Sequence, residues 1–74
     1  MEEIIFITAV IIFMFNGSLY HDEMYYQITF NNQLSCDLYL EANDSLLRLN
    51  LTKMFNAEKI ELKEIVKLFC SEDK

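Results

Sequence analysis

Three kinds of side chain in this chain could do chemistry: one histidine, two cysteines and twelve carboxylates. His21 is followed directly by Asp22 and Glu23, which offers a metal one nitrogen and two carboxylates. A zinc site needs a second anchored nitrogen or sulfur ligand, and Cys36 and Cys70 are not spaced as a zinc pair. No metal and no cofactor is therefore expected. A cysteine nucleophile would need Cys36 or Cys70 beside His21 as its base. In the pattern derived below, Cys36 points inward and Cys70 ends the last element, so that pair does not form. A single glycine cannot build a Gly-rich phosphate loop. Carboxylate pairs suit acid–base work by type, yet 74 residues offer no evident deep cleft. The chain is expected not to be an enzyme.

The carboxylates carry a different message in their distribution. Glu2, Glu3, Asp22, Glu23, Asp37, Glu41 and Asp44 precede the first basic residue, Arg48. The remaining bases (Lys53, Lys59, Lys63, Lys67 and Lys74) fall among Glu58, Glu61, Glu64, Glu72 and Asp73, so the net charge of −6 belongs to the first two-thirds. Such a field attracts cationic partners and repels nucleic acid and anionic lipid. Direct nucleic-acid binding is not expected, because contact with phosphates calls for a net-positive domain.

Residues 1–74 are read as a single domain, short enough to need help with its stability. Two cysteines make no disulfide framework, and both fit apolar positions, so they are read as reduced, buried hydrophobes. Association is then the natural helper. The triplets at Asn16, Asn43 and Asn50 match a glycosylation pattern, which abundant Asn makes easy by chance. The absence of Pro and Trp, with many Ile, Asn, Phe, Tyr and Lys residues, is the usage common in AT-rich genomes, as in many low-GC bacteria and their phages.

The elements that must position these groups follow from periodicity. Ile4 to Phe15 is apolar except for Thr8. It is too short to span a bilayer and lacks a basic flank, so a membrane anchor is not expected. Residues 1–17 fit either a helix, with Glu2 and Glu3 at its positive end, or a strand that turns at Asn16-Gly17. A two-residue turn would set Ile11 against Asp22 and Val10 against Glu23, and so would need a bulge. Apolar on every side, the segment is expected to self-associate as a homodimer through Ile4, Ile5, Phe6, Val10 and Phe13.

Residues 24–51 read as a three-strand meander, because Met24 to Phe30, Leu34 to Glu41 and Leu46 to Leu51 each alternate with period two. Residues 57–70 read as a helix, N-capped by Asn56, with Leu62, Ile65, Val66 and Phe69 on one face and Lys59, Lys63 and Lys67 in water. The fold expected is α+β, a small antiparallel β-meander of three strands (four with the N-terminal segment) packed on a C-terminal helix. The alternative is an N-terminal helix, three strands and a C-terminal helix.

In that register Tyr25 lies beside Tyr39 and Tyr39 beside Arg48, Glu23 lies beside Glu41, and Gln27, Asp37 and Asn50 share a row. Asp22, Glu23, Tyr25, Asp37, Tyr39, Glu41 and Asp44 then form a tyrosine patch bordered by acids, a surface suited to a basic protein partner. The function expected is a small cytoplasmic binding protein that inhibits a larger basic, nucleic-acid-binding protein by occupying its cleft. If phage-encoded, it would act in the host cytoplasm. The chain is similar in size, charge and composition to small acidic phage proteins that block host nucleases, anti-CRISPR inhibitors among them. No motif carries that likeness, and no family is claimed. A membrane-associated protein anchored by residues 4–15 and an oligomeric assembly subunit are the alternatives.

Overall fold

Ile, Val, Phe and Thr dominate the N-terminal segment, and such residues favour a pleated surface. In the computed structural model, which describes residues 4–72, the segment is strand β1 (Ile5–Phe15). Of the two readings for residues 1–17, the strand is the one adopted; Glu2 and Glu3 lie outside the described residues. The chain reverses at Asn16 and Gly17, whose φ angles of 52° and 79° are the left-handed pair a two-residue hairpin requires. Strand β2 (Ser18–Phe30) returns antiparallel, with Phe15 opposite Ser18, Ile11 opposite Asp22 and Val10 opposite Glu23. No bulge is needed at those pairs. β2 is an edge strand, so Asp22 and Glu23 stay in water, and the irregularity falls between Phe6 and Thr8 instead.

The meander over residues 24–51 is corrected beyond Phe30. Residues Leu34 to Leu51 are not strands; they lie within one helix, α1 (Gln33–Ala57). The segment holds seven leucines and a single β-branched residue, Thr52, so intrinsic propensity outweighs the apparent alternation. Asn32 caps it, its side chain accepting the Ser35 N–H at 2.8 Å. Asn56, expected to start a helix, instead helps end one, its carbonyl accepting the N–H of Lys59. The buried positions Cys36, Leu47, Leu51 and Phe55 follow helical spacing.

The helix expected over residues 57–70 is likewise corrected to strand β3 (Glu61–Glu72), which pairs antiparallel with the other edge of β1. Its register shifts twice, between Val10 and Ile11 and between Ile12 and Phe13 of β1. Each bulge adds a residue, so the side chains turned toward α1 (Leu62, Ile65, Leu68 and Cys70) are spaced three, three and two apart. That spacing imitates a helix face. The class is nevertheless α+β, with three antiparallel strands in the order β2-β1-β3 and one helix.

α1 covers one face of the sheet. Ile5 and Ile7 bury against Cys36 and Leu47, and Ala9 and Ile11 against Leu51 and Phe55. The cysteines are corrected too: Cys36 and Cys70 form a disulfide across 34 residues, tying the start of α1 to the end of β3. Loop-closure entropy for that separation is worth roughly 4 kcal/mol, a large share of a small domain's stability.

Two outcomes check this arrangement. Urea melts with and without reductant should differ by about 4 kcal/mol; coincident melts would mean no bond. Leu47, Leu49 and Leu51 would be equivalent in a strand, but here Leu51 is 3% exposed and Leu49 49%. Leu51→Ala should therefore cost about 2–5 kcal/mol and Leu49→Ala under about 1 kcal/mol, measured by chemical denaturation.

Candidate protein-binding groove

Alternation along β2 turns Asp22, Met24, Tyr26 and Ile28 toward the helix side of the sheet, since Asp22 and Met24 pair with the buried Ile11 and Ala9. Along α1, Leu46, Asn50 and Met54 repeat every four residues on the flank nearest β2, and Glu58 follows at the C-cap. Between strand and helix lies an open groove of about 440 Å³, bordered by Met24, Tyr25, Tyr26, Ile28, Tyr39, Leu46, Asn50 and Met54. A smaller hollow of about 190 Å³ continues it past Met24 and Met54 to Phe55, Glu58 and Ile60. No lysine or arginine lines either part. The walls are largely apolar; Glu58 lines the smaller hollow, and Asp22 comes next after Met24 on the same face of β2. The outer edge of β2 pairs with no strand among the described residues, so its backbone N–H and C=O groups border the groove.

Tyr26 holds the groove floor. Its hydroxyl donates to the Leu47 carbonyl at 2.8 Å, bridging β2 to α1. Burial pushes its pKa above the ordinary value, the Arg48 cation partly opposes this, and the Asp44 carboxylate adds to it. Phe30 packs against Tyr39, which borders the groove, with ring centroids 5.3 Å apart.

The seven residues expected to form one acidic face do not share one. Tyr25 and Tyr39 both border the groove, but on strand and helix rather than side by side on a sheet. Asp22 follows Met24 on the helix-side face of β2, beyond the residues that line the groove. Glu23 projects from the opposite face of β2, where its carboxylate accepts the Tyr25 hydroxyl at 3.3 Å. Asp37, Glu41 and Asp44 follow helical spacing along the other flank of α1, whose Arg48 and Thr52 face Leu62 to Ile65 of β3. Because α1 replaces two strands, the expected neighbours Tyr39–Arg48 and Glu23–Glu41 are separated and Asp37 leaves its row, whereas Gln27 and Asn50 both line the groove. Asp44 accepts from Arg48 at 3.0 Å, and Asp37 from Gln33 at 3.0 Å. The exposed Asp44–Arg48 pair contributes about 0.3–0.5 kcal/mol.

The self-association set also divides. Phe6 and Val10 lie on the uncovered face of the sheet, Ile5 and Phe13 pack on the helix side, and Ile4 is exposed just before β1. Among the described residues no three His, Cys, Asp or Glu side chains converge as a metal site.

The expected site left out Met54 and Glu58, and set Leu46 and Asn50 in a sheet register rather than on a helix face. Their spacing of four was the available signal, hidden by the period-two reading of the same leucines. Comparison with protein-family models, curated proteins and solved structures returns no match.

Because folding raises the Tyr26 pKa, the fold favours the neutral phenol. Its contribution is fully present below the ordinary pKa near 10 and is lost as pH rises through the folded value. Tyr26→Phe should remove the late component of the phenolate titration and flatten the alkaline fall in stability. At neutral pH it should cost about 1 kcal/mol.

Proposed function

We propose that this chain is a small acidic binding protein that takes an extended apolar and basic segment of a larger protein into the groove between β2 and α1. The observation that carries this reading is the pairing of an unpartnered strand edge with an apolar furrow whose charged end is acidic. An added strand would hydrogen-bond to β2 while its alternate side chains enter the furrow. From Ile28 to Asp22 the strand runs roughly 20 Å, the length of about six extended residues. Apolar side chains would meet Tyr26, Leu46 and Met54, and a Lys or Arg would meet Asp22 and Glu58.

The partner that fits is a basic, nucleic-acid-binding protein, a nuclease among the candidates. Its cations normally face phosphates; carboxylates substitute for these, and the chain inhibits by occupying that surface. The cytoplasmic location expected from the sequence does not suit the Cys36–Cys70 bond, because cytosolic reductants remove such bonds. The proposal therefore keeps the basic partner and places the encounter where disulfides persist. A membrane anchor over residues 4–15 gains no support: residues 5–15 are the central strand, and no helix among the described residues is long and apolar enough to cross a membrane.

A short peptide of alternating leucine and lysine is the probe. Amide-resolved NMR titration should place its shifts on residues 22–28 and 46–58. Asp22→Lys combined with Glu58→Lys should weaken binding roughly tenfold or more at low salt. Asn50→Trp, which fills the furrow from an exposed position, should abolish it. Shifts scattered over the surface, or affinity indifferent to all three changes, would remove the groove from consideration.

A further inference from the structure

The sheet has a second face that none of the described residues covers. The shortest dimension of the molecule, 18 Å, holds one sheet and one helix but no third layer. On this face Phe6, Val10, Ile12 and Met14 of β1 form a continuous apolar stripe, only partly buried. Thr8, in the middle of the stripe, is buried and donates to the Ser71 hydroxyl at 2.9 Å. Its polarity is satisfied within the chain, so an apolar layer could cover it without leaving a hydrogen bond unmade.

The margins are charged in a self-complementary way. Glu23 on β2 and Lys67 on β3 flank Val10, and one row along, His21 and Glu64 flank Ile12. Tyr25 and Phe69 flank Thr8. A two-fold axis parallel to β1 and lying above it would carry β2 of one copy onto β3 of the other. Three consecutive rows then match: Glu23 meets Lys67 of the second copy, His21 meets its Glu64, and Tyr25 meets its Phe69. At the Met14 row Leu19 meets Glu61, a carboxylate already paired with its own Lys63. The β1 stripes pack on each other.

We infer that a second copy of this chain occupies the open face, giving a face-to-face dimer in which the two sheets pack as the layers of a sandwich. Strand spacing and rise give the face roughly 15 by 30 Å, on the order of 450 Å² per copy. That lies at the small end of specific interfaces, so the dimer forms with micromolar affinity rather than as an obligate unit.

The test is sedimentation of the full chain over a concentration series. The wild type should move from monomer to dimer in the micromolar range. Val10→Asp should leave a monomer, with circular dichroism reporting whether its fold is retained. Glu23→Lys and Lys67→Glu, both at exposed positions, should each weaken the dimer roughly tenfold, and the two changes together should restore it. A wild type that stays monomeric overturns the inference, as does a double variant weaker than either single one. So does a dimer abolished by Leu38→Asp, on the outer face of α1, but not by Glu23→Lys.

Discussion

β1 is hydrogen-bonded along both edges and apolar on both faces, and the rest of the molecule answers to that constraint. Its backbone is satisfied by β2 on one side and β3 on the other. Its side chains divide by parity. Ile5, Ile7, Ala9 and Ile11 need a cover, and a 25-residue helix laid along the sheet supplies it. The disulfide between Cys36 and Cys70 anchors that helix at one end. At its other end Phe55 packs on Phe13, ring centroids 5.7 Å apart. One helix cannot cover two faces, so Phe6, Val10, Ile12 and Met14 remain on the outside.

How much of this was legible in the residues depends on which elements follow simple periods. The Asn16-Gly17 hairpin and its register are dictated by a two-residue turn, and Met24, Tyr26, Ile28 and Phe30 keep strict alternation. From the residues alone, 1–17 fit a helix equally well and the hairpin is expected to need a bulge, whereas the strand beginning at Met24 can be read directly. β3 cannot, because its bulges are three-dimensional facts that turn an alternating strand into a pattern with helical spacing. α1 misleads in the opposite way. Leu34, Leu38, Leu46 and Leu49 are exposed, so leucines occupy almost every side of the helix and any period can be found among them. The want of β-branched residues between Gln33 and Ala57 was the stronger signal. The candidate site inherits these errors. Tyr25 and Tyr39 suit an interface by residue type. Their neighbours were assigned through a register that does not exist. The disulfide was illegible for the same cause, since only the true positions of α1 and β3 bring Cys36 to Cys70.

Two long edge strands are a hazard for a small sheet, because unpaired backbone invites further strands. The chain answers differently on its two edges. β3 is broken by two bulges and carries Glu61, Lys63, Glu64 and Lys67, with Lys63 paired to Glu61. β2 is 13 residues long, more regular near the hairpin, and carries only acids among its fully charged side chains. Net charge adds a general barrier: two copies of −6 repel at long range, so non-specific stacking of edges is opposed. A strand that is basic meets no such barrier at β2. The same charge that opposes self-pairing at this edge would favour a cationic partner there, so the proposed groove and the acidity of the chain belong to one explanation.

The two proposed surfaces also fit together in space. The groove opens between β2 and α1 on the helix side, while the uncovered stripe lies behind the sheet. Tyr25 touches both, its residue bordering the groove and its ring set edge-on to Phe6 at 5.3 Å on the open face. Covering the open face would hold that ring in place and leave Tyr26, Leu46, Asn50 and Met54 accessible. A two-fold axis along β1 places the two grooves on opposite margins of the dimer, each facing away from the other. One short segment could not fill both. A partner with two basic segments, or two copies of a partner, could, and simultaneous engagement raises avidity without any new contact. Weak pairing of the sheets is then sufficient, because a bivalent partner stabilises the dimer by the same free energy with which the dimer strengthens the second attachment.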